Sequence, residues 1–425
     1  MSIIGLSAQR LETLLAPVLV AAESAPVLGD GVGVPIEQHI GEPATPEDIF
    51  SKVVWSLLAE PGDGVAGDVV AVLGAKLALE ALIQVRNDPV LFFSYLPTEL
   101  SAELKVRLNE GELQNAIQRW LPRLNQTASE RALEHGALLG AKMLCAEGSF
   151  WPQGLEDLGR HQPMVLWMRG NPQLLGRVNR SVALVGSRAA SGYGEQVAME
   201  LATGLDNLGY EILSGGAYGI DGMAHRAALA NDSSTTAIFA GGVDRLYPTG
   251  HEQLLQGIIR NGLVLAESPP GTSPTKWRFL QRNRLIAALS SATIVIEAGF
   301  RSGSLNTAGH AQQLGRALGA VPGPITSASS AGCHRLFREY GAECIVSVET
   351  AAELLGASVP GREQQDELLS RDELRVLDGL SSTIGHGLGE LAALIGMGLG
   401  ELQSLLGLLE LQGLAIRKQD LWMKP

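Results

Sequence analysis

Cysteine is scarce: the chain has three, Cys145, Cys333 and Cys344, far apart and with no C-x-x-C pair. That excludes a disulfide framework and a cysteine zinc centre, and it fits a reducing compartment. Lysine is scarce too, and none of the seven is followed by Ser or Thr. A Walker A loop needs that pair to hold phosphate and Mg²⁺, so a P-loop ATPase is excluded. Neither H-E-x-x-H nor G-x-S-x-G occurs, which removes the zincin and nucleophile-elbow signatures. No apolar run approaches the roughly 18 residues of a spanning helix, so no membrane partner is expected. The apolar stretch from Leu14 to Ala22 has only Arg10 before it and Glu12 beside it. That flank is too poor in charge for a secretory leader, and a cytoplasmic protein is expected.

Length and apolar content are plentiful. With 425 residues, 45% of them hydrophobic, the chain has material for two or three domains with full cores. The net charge of −13 is unevenly spread. Residues 160–340 carry sixteen basic against eleven acidic side chains, and the remainder sixteen against thirty-four. A basic centre between acidic flanks can bind an anion locally despite the overall sign.

Residues 1–45, rich in Gly, Pro and Ala, are expected to be poorly ordered. Residues 46–150 read as a small all-helical module. Its apolar positions are Val53, Val54, Leu57 and Leu58, then, after the Pro61–Gly64 turn, Val69, Val70, Leu73, Leu77, Leu79 and Leu82. Further helical stretches are predicted over Ala102–Trp120 and Ala128–Cys145. From Met164 short β-rich runs alternate with helical ones: Val182–Val185, Glu211–Leu213, Thr235–Phe239, Leu263–Ala266 and Thr293–Ile296, each followed by a helical segment. Such alternation predicts β-α-β units and a parallel sheet with helices on both faces, over residues 151–356. A linker follows at 357–370. Three short helices and a β wing then predict a winged-helix-like domain at 371–425. Its third helix carries Glu401, Gln403, Glu410 and leucines, where a duplex reader would place cations. That favours a protein-contact or structural role.

The densest chemical signal is Lys276-Trp277-Arg278-Phe279-Leu280-Gln281-Arg282-Asn283-Arg284. It packs four cations and two aromatics into nine residues with no acid. The apolar run Leu285–Leu289 follows, so the cluster is expected where a loop enters a helix. Cations pair with phosphates, ring faces accept bases, and a helix start offers N–H groups to anions. A solvated helix end would also be basic, but it would rarely bring Trp277 and Phe279.

In a parallel sheet the ligand lies beyond the carboxyl ends of the strands. Gly186-Ser187-Arg188, Gly215-Gly216-Ala217-Tyr218-Gly219, Gly241-Gly242, Glu267–Arg284 and Gly299–Ser304 should gather there. The Gly186 turn lacks G-x-G-x-x-G spacing and is no dinucleotide fingerprint, yet Arg188 can fork onto a phosphate. Gly299-Phe300-Arg301-Ser302-Gly303-Ser304 repeats the device, although Ser304 could equally be a helix N-cap. Asp221 and His225 share a helix face. They are either a metal or acid–base pair or, the favoured reading, a helix-dipole aspartate beside a hydrogen-bonded histidine. No catalytic residue, metal or cofactor is assigned.

These residues resemble the DNA processing protein A family (DprA, also called Smf). The resemblance runs from about Trp151 to Leu355. It includes Trp151-Pro152, Leu166–Gly170, Gly186-Ser187-Arg188, Ser214–Asp221, Ala224-His225, Tyr247-Pro248, Glu267-Ser268-Pro269, Phe279–Arg284, Arg301–Ser304 and Val321-Pro322-Gly323. It implies an extended Rossmann-like domain, homodimers, and a cytosolic single-stranded DNA-binding protein of natural transformation that helps load the RecA recombinase. It also implies a DNA pocket using Arg188, Lys276 and Phe279. Tyr218 departs from the family, standing where many members have arginine, and Gln281 keeps hydrogen bonding without charge.

The resulting expectation is a groove in which phosphates meet Arg188, Lys276, Arg282, Arg284 and Arg301 and the N–H groups of Gly215-Gly216 and Gly303-Ser304. Phe279, with Trp277 or Tyr218, would stack bases, and Asn283 and Ser302 would add hydrogen bonds. The alternative is a nucleotide-binding or nucleoside-monophosphate-hydrolysing enzyme with Glu267 or Glu297 as its carboxylate. The competing reading of those two acids is that they orient Arg282 or Arg284. A third possibility is an adaptor working through the acidic tail.

Overall fold

The structure is a computed structural model that describes residues 5–20, 44–148, 150–357 and 369–425. They form two compact units divided at Ala357/Ser358. The start of the chain is more ordered than its composition predicts. Ser7 caps a helix, α1 (Ala8–Leu15), which buries Leu11, Leu14 and Leu15. Most of the segment expected to be poorly ordered, residues 1–4 and 21–43, lies outside the described residues, as does most of the 357–370 linker.

Six more helices follow: α2 (Pro46–Leu58), α3 (Gly64–Leu73), α4 (Ala75–Gln84), α5 (Thr98–Arg107), α6 (Glu110–Trp120) and α7 (Gln126–Leu138). Sequence signals set their ends. Thr45 and Asp48 form a capping box with Pro46 in the first turn of α2. The stretch predicted as one helix over 102–120 breaks at Leu108, because Asn109 and Glu112 build a second capping box there. The helix expected to reach Cys145 stops at Leu138. Gly140 turns the chain at φ +64°, and Lys142–Leu144 becomes a strand. Trp55 and Trp120 meet edge-to-face at 5.0 Å in a core that runs on without a break to Trp167, Phe239 and Leu255 of the sheet region. The helical segment and the sheet are therefore one packed body, and the expected boundary near residue 150 separates no cores.

The sheet has nine strands: β1 (Lys142–Leu144), β2 (Leu166–Gly170), β3 (Ser181–Gly186), β4 (Glu211–Ser214), β5 (Thr235–Phe239), β6 (Leu263–Ala266), β7 (Ala292–Glu297), β8 (Ala317–Ala320) and β9 (Glu343–Cys344). Their order is β1-β2-β6-β5-β4-β3-β7-β8-β9. β6 through β9 pair in parallel, while β1 and β2 extend the β6 side antiparallel. The helices of this region are α8 (Leu175–Val178), α9 (Gly192–Asn207), α10 (Ile220–Ala230), α11 (Glu252–Asn261), α12 (Lys276–Leu289), α13 (Ser304–Gln313), α14 (Ala331–Glu339) and α15 (Val348–Leu354). Helices α9, α10 and α15 share one apolar layer, while α12, α13 and α14 share a separate one. This is an extended Rossmann-like, doubly wound, mostly parallel sheet. From β3 the chain steps outward through β4, β5 and β6, then returns past β3 to build β7, β8 and β9. The β3/β7 junction is thus the topological switch point, where adjacent strand-end loops diverge and leave a crevice.

The second unit contains α16 (Arg371–Gly379), α17 (Leu388–Ile395) and α18 (Leu399–Leu411), with a three-stranded antiparallel sheet. Its strands β10 (His386–Gly387), β11 (Ile416–Lys418) and β12 (Leu421–Met423) run in the order β10-β12-β11. Val376, Leu391, Leu402, Leu406, Leu409 and Trp422 form its core. Glu401, Gln403 and Glu410 of α18 are exposed.

Candidate nucleic-acid interface

A cleft of about 390 Å³ opens at the switch point. One wall is the turn after β3, Gly186 to Ala189. The opposite wall is Ser302, Gly303 and Ser304, at the start of α13 after β7, and α12 closes the side with Phe279, Leu280, Arg282, Asn283 and Ile286. Gly303, not Ser304, occupies the N-cap position of α13 and makes no side-chain cap bond. Ser302 instead accepts from the Ser304 N–H and pairs with the Ser304 hydroxyl at 2.8 Å. The positive end of a ten-residue helix faces the cleft, but the Ser304 N–H expected to meet a phosphate, like those of Leu305 and Asn306, is already bonded within the turn, which leaves the dipole as its contribution.

Glu297, at the end of β7, anchors the Arg188 loop. Its backbone carbonyl accepts from Ser187 N at 2.7 Å. Its buried carboxylate accepts from the Ser191 N–H and hydroxyl, each at 2.8 Å. Gly219 lets the next strand-end loop pass closely. Its φ is +73°, and a Cβ there would lie 2.1 Å from the Ser187 carbonyl oxygen. Arg188 projects from this braced loop, exposed, with its guanidinium 5.0 Å from the Phe279 ring centre. Arg188, Lys276 and Arg301 are all exposed, and among the described residues no carboxylate forms an ion pair with any of them. Lys276 stands one turn before Phe279 on α12, and Arg301 adjoins Ser302.

The nine-residue basic cluster is helical throughout, beginning at Thr275, which caps the Arg278 N–H. At about 100° per residue a helix distributes such a run around its axis. Phe279, Arg282, Asn283 and Ile286 face the cleft. The other side faces the helical segment. There Arg278 makes two 3.0 Å bonds to the Glu60 carboxylate. Arg284 donates to Glu267 at 2.8 Å and to the His161 carbonyl at 3.1 Å. Glu60 is pushed up by burial, but Arg278 and Arg123 hold it below its ordinary value.

Several assignments are corrected accordingly. Arg284 is 3% exposed, outside the cleft, with its donors on protein oxygens. Arg282 lines the cleft but is 5% exposed and donates to the carbonyls of Gly215, at 2.7 Å, and Ile238. Burial lowers its pKa to about 10, against the opposing pull of Asp221. Asn283 is spent on Gly303 O, Asn306 and Arg282. Gly215 and Gly216 are buried beneath the surface, and the Gly215 N–H donates to Asp221. Trp277 points outward, 55% exposed, and is not part of the lining. Tyr218 is exposed beside the cleft, its hydroxyl accepting from Gly250 N at 3.2 Å.

Thr307 and Tyr247 went unassigned in the sequence, and Asp221 was read only as a helix-dipole aspartate or half of a metal or acid–base pair. Asp221 lines the cleft, where burial raises its pKa against the pull of Arg282. Thr307 lies one turn into α13, and Tyr247 sits 5.6 Å from Phe279. The Tyr-Pro step was visible, but nothing local says that it meets α12. The two carboxylates offered for hydrolysis are engaged, Glu267 with Arg284 and Glu297 with Ser191, and neither lines the cleft.

Asp221 and His225 form no metal group, and no cluster of three or more ligating side chains occurs among the described residues. His225 is buried. Its Nδ1 donates at 2.8 Å to Thr235 Oγ1, whose own proton goes to the Ile212 carbonyl at 2.7 Å. Nε2 meets no partner among the described residues, and burial lowers the pKa to about 3. A neutral native histidine must be protonated in the unfolded chain first. Stability should therefore begin to fall below about pH 6.5, by about 1.4 kcal/mol per unit, until about pH 3. Denaturant titrations of the parent and His225→Asn across that range check this, and equal slopes would refute it.

The sequence model of the DNA recombination-mediator protein A family matches residues 142–356, the region containing all nine strands and the cleft. The chain belongs to that family. A putative DNA processing protein DprA of Mycobacterium tuberculosis is 45% identical over 268 residues, covering 62% of this chain and 69% of its own. The DNA processing protein DprA of Bacillus subtilis is 33% identical over 249 residues, 59% and 81% of the two chains. The crystal structure of DNA processing protein A from Streptococcus pneumoniae matches with a TM-score of 0.53 at 30% identity, over 65% of this chain and 96% of that one. Family membership thus rests on the part of the chain that builds the switch-point cleft.

Proposed function

We propose that this chain binds single-stranded DNA in the switch-point cleft and serves recombination by protecting the strand and passing it to a RecA-type recombinase, as a cytoplasmic homodimer. One observation carries the reading. Arg188, Phe279 and the start of α13 converge on one cleft beside the exposed Lys276 and Arg301. The cations and the helix end suit phosphates, and the ring suits an unpaired base. No step in this role makes or breaks a bond. The 371–425 unit is read as a winged-helix-like protein-contact domain, since α18 offers a duplex no cation.

Competition between single- and double-stranded oligonucleotides at two salt concentrations tests the proposal. Single strands should win at both. Their log affinity should fall against log salt by about 0.7 per phosphate contact, giving a slope near 2 for Arg188, Lys276 and Arg301 together. Equal or better binding of duplex would overturn it.

A further inference from the structure

We propose that the turn from Tyr247 to Gly250, with Tyr218 packed against it, is a second base-binding subsite that takes the nucleobase next to the one on Phe279. The proposal rests on the single-strand reading of the cleft and extends it along the strand-end edge. Arg188 lies over Phe279, Phe279 lies 5.6 Å from Tyr247, and the two rings are inclined at 51°. Three residues after Tyr247, the Gly250 N–H donates to the Tyr218 hydroxyl at 3.2 Å. Tyr218 in turn meets His251 edge-on, with centroids 4.7 Å apart, and His251 is fastened to the Gly216 carbonyl. Cleft, Phe279, Tyr247 and Tyr218 thus form one continuous series of contacts.

Both tyrosines keep a large part of their surface in water, 49% for Tyr247 and 44% for Tyr218. Rings anchored on one side and open on the other have little freedom left to lose on binding, which favours stacking. The 5.6 Å between ring centres exceeds the roughly 3.4 Å rise between stacked bases, so the strand would cross with its bases splayed. Continuity with the cationic cleft argues for a nucleobase as occupant. A nucleobase next in the strand is joined through its phosphate to the one on Phe279, so a single ligand fits both the cationic cleft and the neighbouring rings. Tyr218 and Tyr247 carry no charge, so the subsite adds affinity without adding salt dependence.

The test uses the full chain, with thymidine monophosphate and oligothymidylates of about two to ten nucleotides competing with a labelled single strand. The parent should gain affinity stepwise with length. Tyr247→Ala and Tyr218→Ala should each lose roughly fivefold or more on the dinucleotide and longer strands, with mononucleotide affinity and salt slope unchanged. Tyr247→Phe, which keeps the ring, should bind like the parent. Thermal melting shows whether each variant is folded. If both alanine variants track the parent at every length while Arg188→Ala binds about tenfold or more weakly, the subsite is refuted and the cleft reading stands. If Arg188→Ala binds like the parent, the cleft reading itself fails.

Discussion

Replacing Arg282 with alanine is expected to destabilise the protein by about 3–5 kcal/mol, the range for removing one partner from a buried charged network. The side chain is 5% exposed, and its guanidinium holds the carbonyls of Gly215 and Ile238, at the ends of β4 and β5. Without it those oxygens lack a donor. The buried Asp221 carboxylate also loses the cation that most opposes its desolvation. Lysine should restore part of the loss, because both carbonyls are met by the single nitrogen Nη1 and an ammonium carries three donors. A double variant with Asp221→Asn should cost less than the sum of the two single changes, since the buried charge disappears with its partner. Urea denaturation of the parent, the two Arg282 variants, Asp221→Asn and the double variant measures this. Full stability of Arg282→Ala with a large loss of oligonucleotide affinity would return Arg282 to the phosphate-binding set.

That reassignment shows where sequence reasoning reached and where it stopped. Strand–helix alternation needs only local periodicity, so β3 to β7 and the helices between them were legible. The strand-end rule then named Arg188, Phe279 and Ser302–Ser304 as neighbours, which they are. Strand order is not local. Nothing in the residues says that β7 lies beside β3 and not beside β6, so the one crevice that matters could not be singled out among five strand ends. The cluster at 276–284 misled for a related reason. Read as a loop entering a helix, it puts Lys276, Arg282 and Arg284 on one surface. Wound as a helix, Arg278 and Arg284 turn toward Glu60 and Glu267, and Arg282 turns inward. The acids that claim them lie as far as 218 residues away in sequence. The glycines of the 215–219 loop were visible as flexible backbone. Only the structure reveals that Asp221 and Arg282 already use the polar groups of Gly215.

Arg188→Ala and Phe279→Ala should both weaken single-strand binding, and they should differ in how salt changes the loss. Arg188 is exposed, on a loop held at both ends by Glu297, and free of any ion pair among the described residues. Removing it deletes one charge-assisted phosphate contact, about 1.5–3 kcal/mol, or about ten- to a hundredfold. One fewer counterion is released, so the salt slope should drop by about 0.7. Phe279 contributes a face instead of a charge. Its loss should cost about 1–3 kcal/mol and leave the slope unchanged. The guanidinium sits 5.0 Å from the ring, so the two contributions are coupled and the double variant should fall short of their sum. Both sites lie at the surface of the cleft, so melting temperatures should move little while affinities move a great deal. Titration of a labelled oligonucleotide at three or so salt concentrations separates the cases. Retention of parental affinity by both variants would remove the cleft as the binding site. A drop in slope for Phe279→Ala would mean that the ring positions Arg188 and does not receive a base.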